Sequence, residues 1–188
     1  MLGLLKRYIA HNISIDSEKL EVITSKFKNL TFKRNTTLHR QGELCDKLYF
    51  INSGCARVLY LSEQGAERTR YFAFEGMVVT SLASFISGEA SFEFVEILDD
   101  AELLVISRKD FFELTESVTE WKDFYCKLLE HAYINSNRLI ERLVTLTAKE
   151  RYEQLLSQNP RVVQQISNKI VASYLDISPE TLSRIKSR

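Results

Sequence analysis

The hydrophobic residues between Leu30 and Ile106 recur with a period of two, and this pattern constrains the fold more than any other feature of the chain. A period of two is typical of β-strands, because successive side chains of a strand point to opposite faces. The β-rich runs cover residues 48–51, 56–61, 68–72, 92–97 and 102–106. Turn signals separate them: Gln41-Gly42, Asn52-Ser53-Gly54, Glu63-Gln64-Gly65, Glu75-Gly76, Ser87-Gly88 and Asp99-Asp100. Many short strands at near-regular spacing predict a sandwich or a jelly-roll barrel.

Helical spacing replaces the period of two on both sides of this region. Asp16–Phe27 is predicted to be a short helix that Asp16 or Ser17 caps. A second short helix is expected over Lys109–Thr115, and a long one follows from about Glu120 to Leu146.

The long helix carries one apolar stripe along its length. Its members step at helical spacing: Trp121, Tyr125, Leu128, Ala132, Leu139 and Leu143. A stripe of this length favours a coiled-coil partner, that is, a dimerisation helix at residues 120–146. The alternative is a helix packed only on its own β-domain.

A second helical region begins after the long helix. Thr147-Ala148-Lys149-Glu150 has capping-box spacing, so a new helix is expected over Ala148–Ser157. These signals predict an N-terminal domain at residues 1–119 and a C-terminal domain at 147–188, on either side of the dimerisation helix.

The residues from Ile166 to Ile185 predict two short helices joined by a tight turn. The expected buried positions are Ile170, Val171, Tyr174, Ile177, Leu182 and Ile185. Ser178 is a good N-cap and Pro179 fits the first helical position, so the second helix should begin at Pro179. A helix-turn-helix presents the first turn of its second helix to the major groove of DNA. The alternative is a helical hairpin with a solvated charged face.

Charge and cysteine content narrow the class of protein. The formal net charge is +0, but residues 149–188 hold seven Lys and Arg against four acids, a basic segment that suits a nucleic-acid binder. Three widely spaced cysteines indicate neither a disulfide framework nor a zinc site. Met1–Ala10 has too short an apolar run for a signal peptide, and no stretch reaches membrane-spanning length. We expect a cytoplasmic protein without membrane contact, metal or cofactor, and not an enzyme, because no nucleophile–base arrangement is visible.

The motif Ser178-Pro179-Glu180-Thr181-Leu182-Ser183-Arg184-Ile185 resembles the recognition helix of Crp/Fnr transcription regulators. Leu38-His39-Arg40-Gln41-Gly42-Glu43 and Leu48-Tyr49-Phe50-Ile51 are similar to the first hairpins of that family's cyclic-nucleotide-binding roll, and Ala101–Ser107 to its last strand. The resemblance implies an α+β fold: an N-terminal double-stranded β-helix, a long dimerisation helix and a C-terminal helix-turn-helix.

The resemblance also implies DNA-contacting residues. The base readers would be Pro179, Glu180, Ser183 and Arg184, and the phosphate contacts would be Ser167, Lys169, Ser178, Thr181 and Lys186. Asp176 stands where the turn usually has Gly, but Asp tolerates a left-handed conformation. The β-wing that often follows the recognition helix is missing, and Lys186 and Arg188 are expected to substitute for it.

The expected effector pocket departs from the family pattern. The Gly-Glu pair that holds the ribose aligns with Thr80-Ser81, and the Arg-Ser pair that holds the cyclic phosphate aligns with Ala90-Ser91. Because a buried phosphate needs a cation, we expect no cyclic-nucleotide binding unless Arg57, Arg68 or Arg70 supplies one. Ser136 and Asn137, in a polar interruption of the long helix, would either meet an effector or fix the register of a coiled coil.

The function expected from the resemblance is a homodimeric regulator that binds a pseudo-palindromic site in double-stranded DNA. RNA polymerase and an unidentified small-molecule effector are the further partners it allows. The alternative is a ligand-sensing module that controls a protein partner without binding DNA.

Overall fold

A computed structural model describes residues 2–187 of the chain. The chain forms two compact units: one combines Met1–Val58 with Phe72–His131, and the other combines Leu59–Tyr71 with Ala132–Arg188. The domain boundaries expected at residues 119 and 146 stay predictions, since this division falls elsewhere, within the long helix and within a β-hairpin.

The β-rich region forms one antiparallel sheet, and the expected β-roll is thereby confirmed. Strand order is β1-β6-β3-β4, with β2 also pairing with β6 and β5 with β3. The register of β1 on β6 runs from Lys28 opposite Val105 to Phe32 opposite Ala101. The strands are β1 Lys28–Phe32, β2 Thr37–His39, β3 Lys47–Leu61, β4 Glu67–Phe74, β5 Val78–Val79 and β6 Phe94–Ser107.

Two of the predicted turns are wrong. Asn52-Ser53-Gly54 and Asp99-Asp100 lie inside the long strands β3 and β6. A Cβ atom at Gly54 would lie 2.6 Å from the Asp100 backbone oxygen and 2.7 Å from the Ala101 Cβ. Gly54 has φ +94°, so glycine here serves the close approach of two strands and a left-handed backbone. Glycine is also the residue type that marks turns, which is why the sequence pattern indicated a turn here.

Four helices pack on the roll: α1 Gly3–Asn12, α2 Ser17–Ser25, α3 Leu82–Ser87 and α4 Arg108–Ser117. The predictions for α2 and α4 are confirmed, and the Asp16 side chain accepts a hydrogen bond from the Lys19 N–H at the start of α2. Neither α1 nor α3 was predicted. Their apolar residues enter a core together with aromatic side chains of α4, so that burial against distant residues favours these helices.

The long helix α5 covers Thr119–Thr145. Trp121 was wrongly assigned to the dimer surface: its side chain is 0 % exposed, and its indole N–H donates to the Phe111 carbonyl at 3.1 Å. Tyr125 and Leu128 also pack against the core of the roll. The first half of α5 is therefore occupied within its own chain. Among residues 2–187, no helix combines the length and apolar character of a membrane-spanning segment.

After α5, the described residues form four short helices: α6 Ala148–Gln158, α7 Pro160–Gln165, α8 Asn168–Leu175 and α9 Pro179–Lys186. The capping box of Thr147 and Glu150 is present at the start of α6, as expected. Helix α7 was not predicted. Its six residues contribute buried Val162, and Pro160 stands at the first helical position.

Candidate nucleic-acid interface and the polar cluster of the roll

The turn between α8 and α9 has the geometry expected from its residues. Asp176 lies in the left-handed region, at φ 52° and ψ 49°. The Ile177 N–H donates to the Ala172 carbonyl at 3.1 Å and closes the turn. The Ser178 hydroxyl then accepts from the Thr181 N–H at 3.2 Å and caps α9, which begins at Pro179.

Helix α9 has one buried side and one exposed side. Leu182 is 0 % exposed and packs inward, whereas Pro179, Glu180, Ser183 and Arg184 are all exposed. The Ser178 hydroxyl bonds to Glu180 and lowers the pKa of that carboxyl, with smaller contributions from the helix backbone and from Arg184. Glu180 is thus a carboxylate acceptor beside a guanidinium donor, the pair of groups that reads base edges.

The residues expected at phosphates lie around the same exposed side. Ser167 and Lys169, at the start of α8, are exposed. Ser178 is exposed as well, but its hydroxyl is already occupied as the cap, and Thr181 is half-buried next to it. Lys186 donates to the Asn168 side chain at 2.6 Å, which links the end of α9 to the start of α8. Arg188 lies outside the described residues.

The expected effector pocket is in part a buried polar cluster. Thr80, Ser81 and Ser91 are between 1 % and 6 % exposed, and the hydroxyl oxygens of the two serines are 2.8 Å apart. Thr80 donates to the Lys47 carbonyl at 2.9 Å. Ala90 departs from the expectation: it is exposed and forms an isolated bridge with Leu44. Ser136 and Asn137 are exposed on α5, in the other unit.

Comparison with known proteins agrees with this architecture. Residues 29–118 match the family of cyclic nucleotide-binding domains. The cyclic AMP receptor protein of Thermus thermophilus is 25% identical over 172 residues, which cover 89% of this chain and 79% of that protein. FixK2 from Bradyrhizobium japonicum has a TM-score of 0.75 at 18% identity, covering 86% of this chain and 83% of its own. A Crp/Fnr family protein from Eubacterium rectale has a TM-score of 0.73 at 19% identity, covering 91% and 82%. The chain has the fold of these proteins and is similar in sequence to a cyclic AMP receptor protein.

Sequence reasoning missed a buried acid in the roll. Glu93 is 6 % exposed, and the Ser81 hydroxyl donates to its carboxylate at 2.7 Å, while its own N–H donates to the Ser91 hydroxyl at 2.9 Å. We call Ser81, Ser91 and Glu93 the serine–glutamate cluster. The only sequence signal is Glu93 between two phenylalanines, and there Phe92, not Glu93, is the side chain exposed to solvent, at 78 %.

Two of the three arginines that could have replaced the missing phosphate ligand, Arg57 and Arg68, pair with acidic side chains. Arg57 is buried, and its guanidinium holds the Glu96 carboxylate through two contacts of 2.6 and 2.7 Å. Arg68 pairs with Asp176 at 3.0 Å. Near the cluster, burial lowers the pKa of His39, although Glu43, Glu93 and Asp46 act in the opposite direction. The buried polar side chains of the roll therefore include acids as well as bases.

Proposed function

We propose that this chain is a homodimeric, sequence-specific DNA-binding transcription regulator whose roll is a degenerate cyclic-nucleotide-binding domain. The observation that carries the proposal is the exposed side of α9, where Glu180, Ser183 and Arg184 follow the Ser178 cap. These residues lie in the first turns of the second helix, the part of a helix-turn-helix that enters the major groove. The Crp/Fnr fold of the chain supports the same reading.

The outer half of α5 supports the proposed pairing with a second copy. Tyr133, Ile140 and Val144 are 71 %, 60 % and 79 % exposed, although all three are apolar or aromatic. With Asn137 they are spaced by four, three and four residues, the alternation of a coiled-coil seam, and we call these four residues the α5 stripe. Asn137 donates to the Tyr133 carbonyl at 2.9 Å, and a single polar seam residue of this kind fixes register.

The α5 stripe revises which residues would meet the partner. Of the residues that the sequence favoured, Leu143 is 40 % exposed and stays a candidate, whereas Ala132 and Leu139 are half-buried. Pairing two α5 helices about a two-fold axis would give two copies of α9. Such copies bind half-sites about 34 Å apart, which predicts a pseudo-palindromic operator.

The roll would not accept a cyclic phosphate in the manner of the family. Ser91 is retained, but Glu93 lies beside it, and the arginine that would neutralise a phosphate is absent from the aligned position. An anion beside a buried carboxylate is destabilised by like-charge repulsion and by desolvation. We therefore propose an effector other than a cyclic nucleotide, or regulation without one.

The test is selection of binding sites from a random duplex library with the full chain. Wild type should enrich a two-fold symmetric motif, and Arg184→Ala should flatten one position in each half-site, with a loss of about 1–3 kcal/mol of discrimination. Arg34→Ala is the matched control, because Arg34 is an exposed arginine of the roll. Identical motifs from wild type and Arg184→Ala would refute the base-reading role.

A salt series separates this function from the alternative, a sensing module that controls a protein partner. Binding to duplex DNA should fall steeply with salt, because each neutralised phosphate releases counterions. Lys169→Ala should lower affinity about equally on all sequences and reduce the slope by about one unit. Affinity that is independent of salt, or absent, would favour the protein-partner alternative.

A further inference from the structure

The end of α8 is held by residues outside the two-helix pair. The last three residues of α8 and the residue that follows it, positions 173–176, each contact a different side chain of the same compact unit. The Ser173 hydroxyl is 2.7 Å from the Thr69 hydroxyl, and Asp176 is 3.0 Å from the Arg68 guanidinium. The remaining two contacts come from α5 and α6: Arg142 stacks on the Tyr174 ring at 5.3 Å, and Arg151 donates to the Leu175 carbonyl at 3.0 Å.

Two of these contacts come from the segment Leu59–Tyr71, which we call the hairpin tip because it joins β3 to β4. Thr69 is 4 % exposed, so its contact with Ser173 is shielded from water, whereas both partners of the Arg68–Asp176 pair are about half-exposed. An ion pair at such exposure contributes little stability. The shielded Thr69–Ser173 contact and the Arg68–Asp176 ion pair together can fix the orientation of α8 relative to the hairpin tip.

We infer that Arg68 and Thr69 are positioning residues for DNA binding: the hairpin tip holds α8 in the orientation that leaves α9 free to enter the groove. The inference rests on the proposed function. It gives a physical role to Asp176, which follows α8 with a left-handed backbone. The left-handed backbone there would suit glycine better than aspartate, so the carboxylate that pairs with Arg68 is the feature that aspartate adds.

The location of the contacts indicates that the hairpin tip supports α8 and does not block the DNA-facing side of α9. The tip binds Ser173 and Asp176, at the C-terminal end of α8, whereas Ser167 and Lys169 lie at the other end. Ser167 and Asp176 are nine positions apart, at opposite ends of α8, which corresponds to a rise of about 13 Å. The DNA-facing side chains of α9 stay exposed while the tip is bound. Arg68 also neutralises an acid that would otherwise repel the phosphate backbone.

The decisive experiment locks the contact with a disulfide. Thr69→Cys and Ser173→Cys are introduced together in a Cys126→Ser background, because Cys126 is the exposed native cysteine whereas Cys45 and Cys55 are buried. Diamide oxidises the pair to a disulfide within one chain, and dithiothreitol reverses the reaction. We expect the oxidised protein to bind the selected DNA site at least as tightly as the reduced protein.

The outcomes separate the inference from the proposed function. Loss of DNA binding on oxidation, restored by dithiothreitol, would show that the contact is inhibitory and would overturn the inference alone. Absence of the intrachain disulfide would overturn it as well, because the contact would not form in solution. If the unsubstituted chain bound no duplex DNA, the proposed function would fail together with the inference, and the disulfide would still report the contact.

A double-mutant cycle tests the ion pair separately. Arg68→Ala should weaken specific binding by up to about five-fold, the range of an exposed ion pair, and should have no such effect in an Asp176→Asn background. Asparagine keeps the tolerance for a left-handed backbone and removes the charge. Lys28→Ala, which removes an exposed cation from β1, is the charge-matched control. Equal losses from Arg68→Ala in both backgrounds would contradict a role for the pair.

Discussion

Ile140 lies in the middle of the α5 stripe, and replacing it by alanine tests the proposed dimer quantitatively. The substitution removes three carbons, worth about 0.8 kcal/mol each when fully buried. The side chain is 60 % exposed in the single chain, so this fraction is what a partner can cover. Each subunit then loses about 1.4 kcal/mol on this scale. A two-fold interface counts the loss twice, which gives about 3 kcal/mol, or about 100-fold in the dimer dissociation constant.

Sedimentation equilibrium over a range of protein concentrations measures that constant directly. Leu156→Ala is the control, because Leu156 is an apolar side chain on α6 that is 43 % exposed and lies outside the stripe. Circular dichroism should show unchanged helix content for both variants. A dissociation constant that changes less than about three-fold for Ile140→Ala would contradict burial of this side chain against a second copy.

Three further predictions concern other parts of the molecule. Gly54→Ala should lower the melting temperature by several degrees more than Gly65→Ala, since both sites have positive φ but only Gly54 faces a backbone oxygen at 2.6 Å; equal shifts would contradict the strand-contact argument. Burial lowers the pKa of His39, so the unfolded chain binds the proton more tightly than the folded chain. The free energy of unfolding, measured by denaturant titration, should therefore fall as pH drops from about 7 to about 5.5, and it should fall less in the His39→Gln variant. Cys126 lies seven residues before Tyr133, on the line of the α5 stripe, so mild oxidation should give a covalent dimer on non-reducing gels that Cys126→Ser abolishes.

Local chemistry was the part of the fold that the sequence predicted well. Asp16, Thr147 and Ser178 all cap the helices expected of them, because a cap depends on neighbours within three residues. The left-handed conformation of Asp176 was also predicted correctly, because it too depends on neighbouring residues in the sequence. The exposed side of α9 followed directly from where its cap placed the first turn.

Features that depend on distant residues were the part that failed. Helix α1 has weak local signals and is held by burial of Leu5 and Ile9 in a core shared with α4 and α5. Trp121 matched the stripe of a dimer helix, yet the roll of its own chain covers it. Burial of Glu93 requires Ser81 to lie beside it, and no pattern in a single sequence reports that proximity.

The serine–glutamate cluster has a consequence for signalling in the cell. A cyclic phosphate at this site would lie beside the Glu93 side chain, and the aligned position offers no arginine to neutralise the phosphate. Cyclic nucleotides rise and fall for reasons unrelated to any one regulator. Under the proposed function, a roll built in this way would not respond to those fluctuations, so the genes that it regulates would be insulated from that second messenger while the inherited scaffold stays intact.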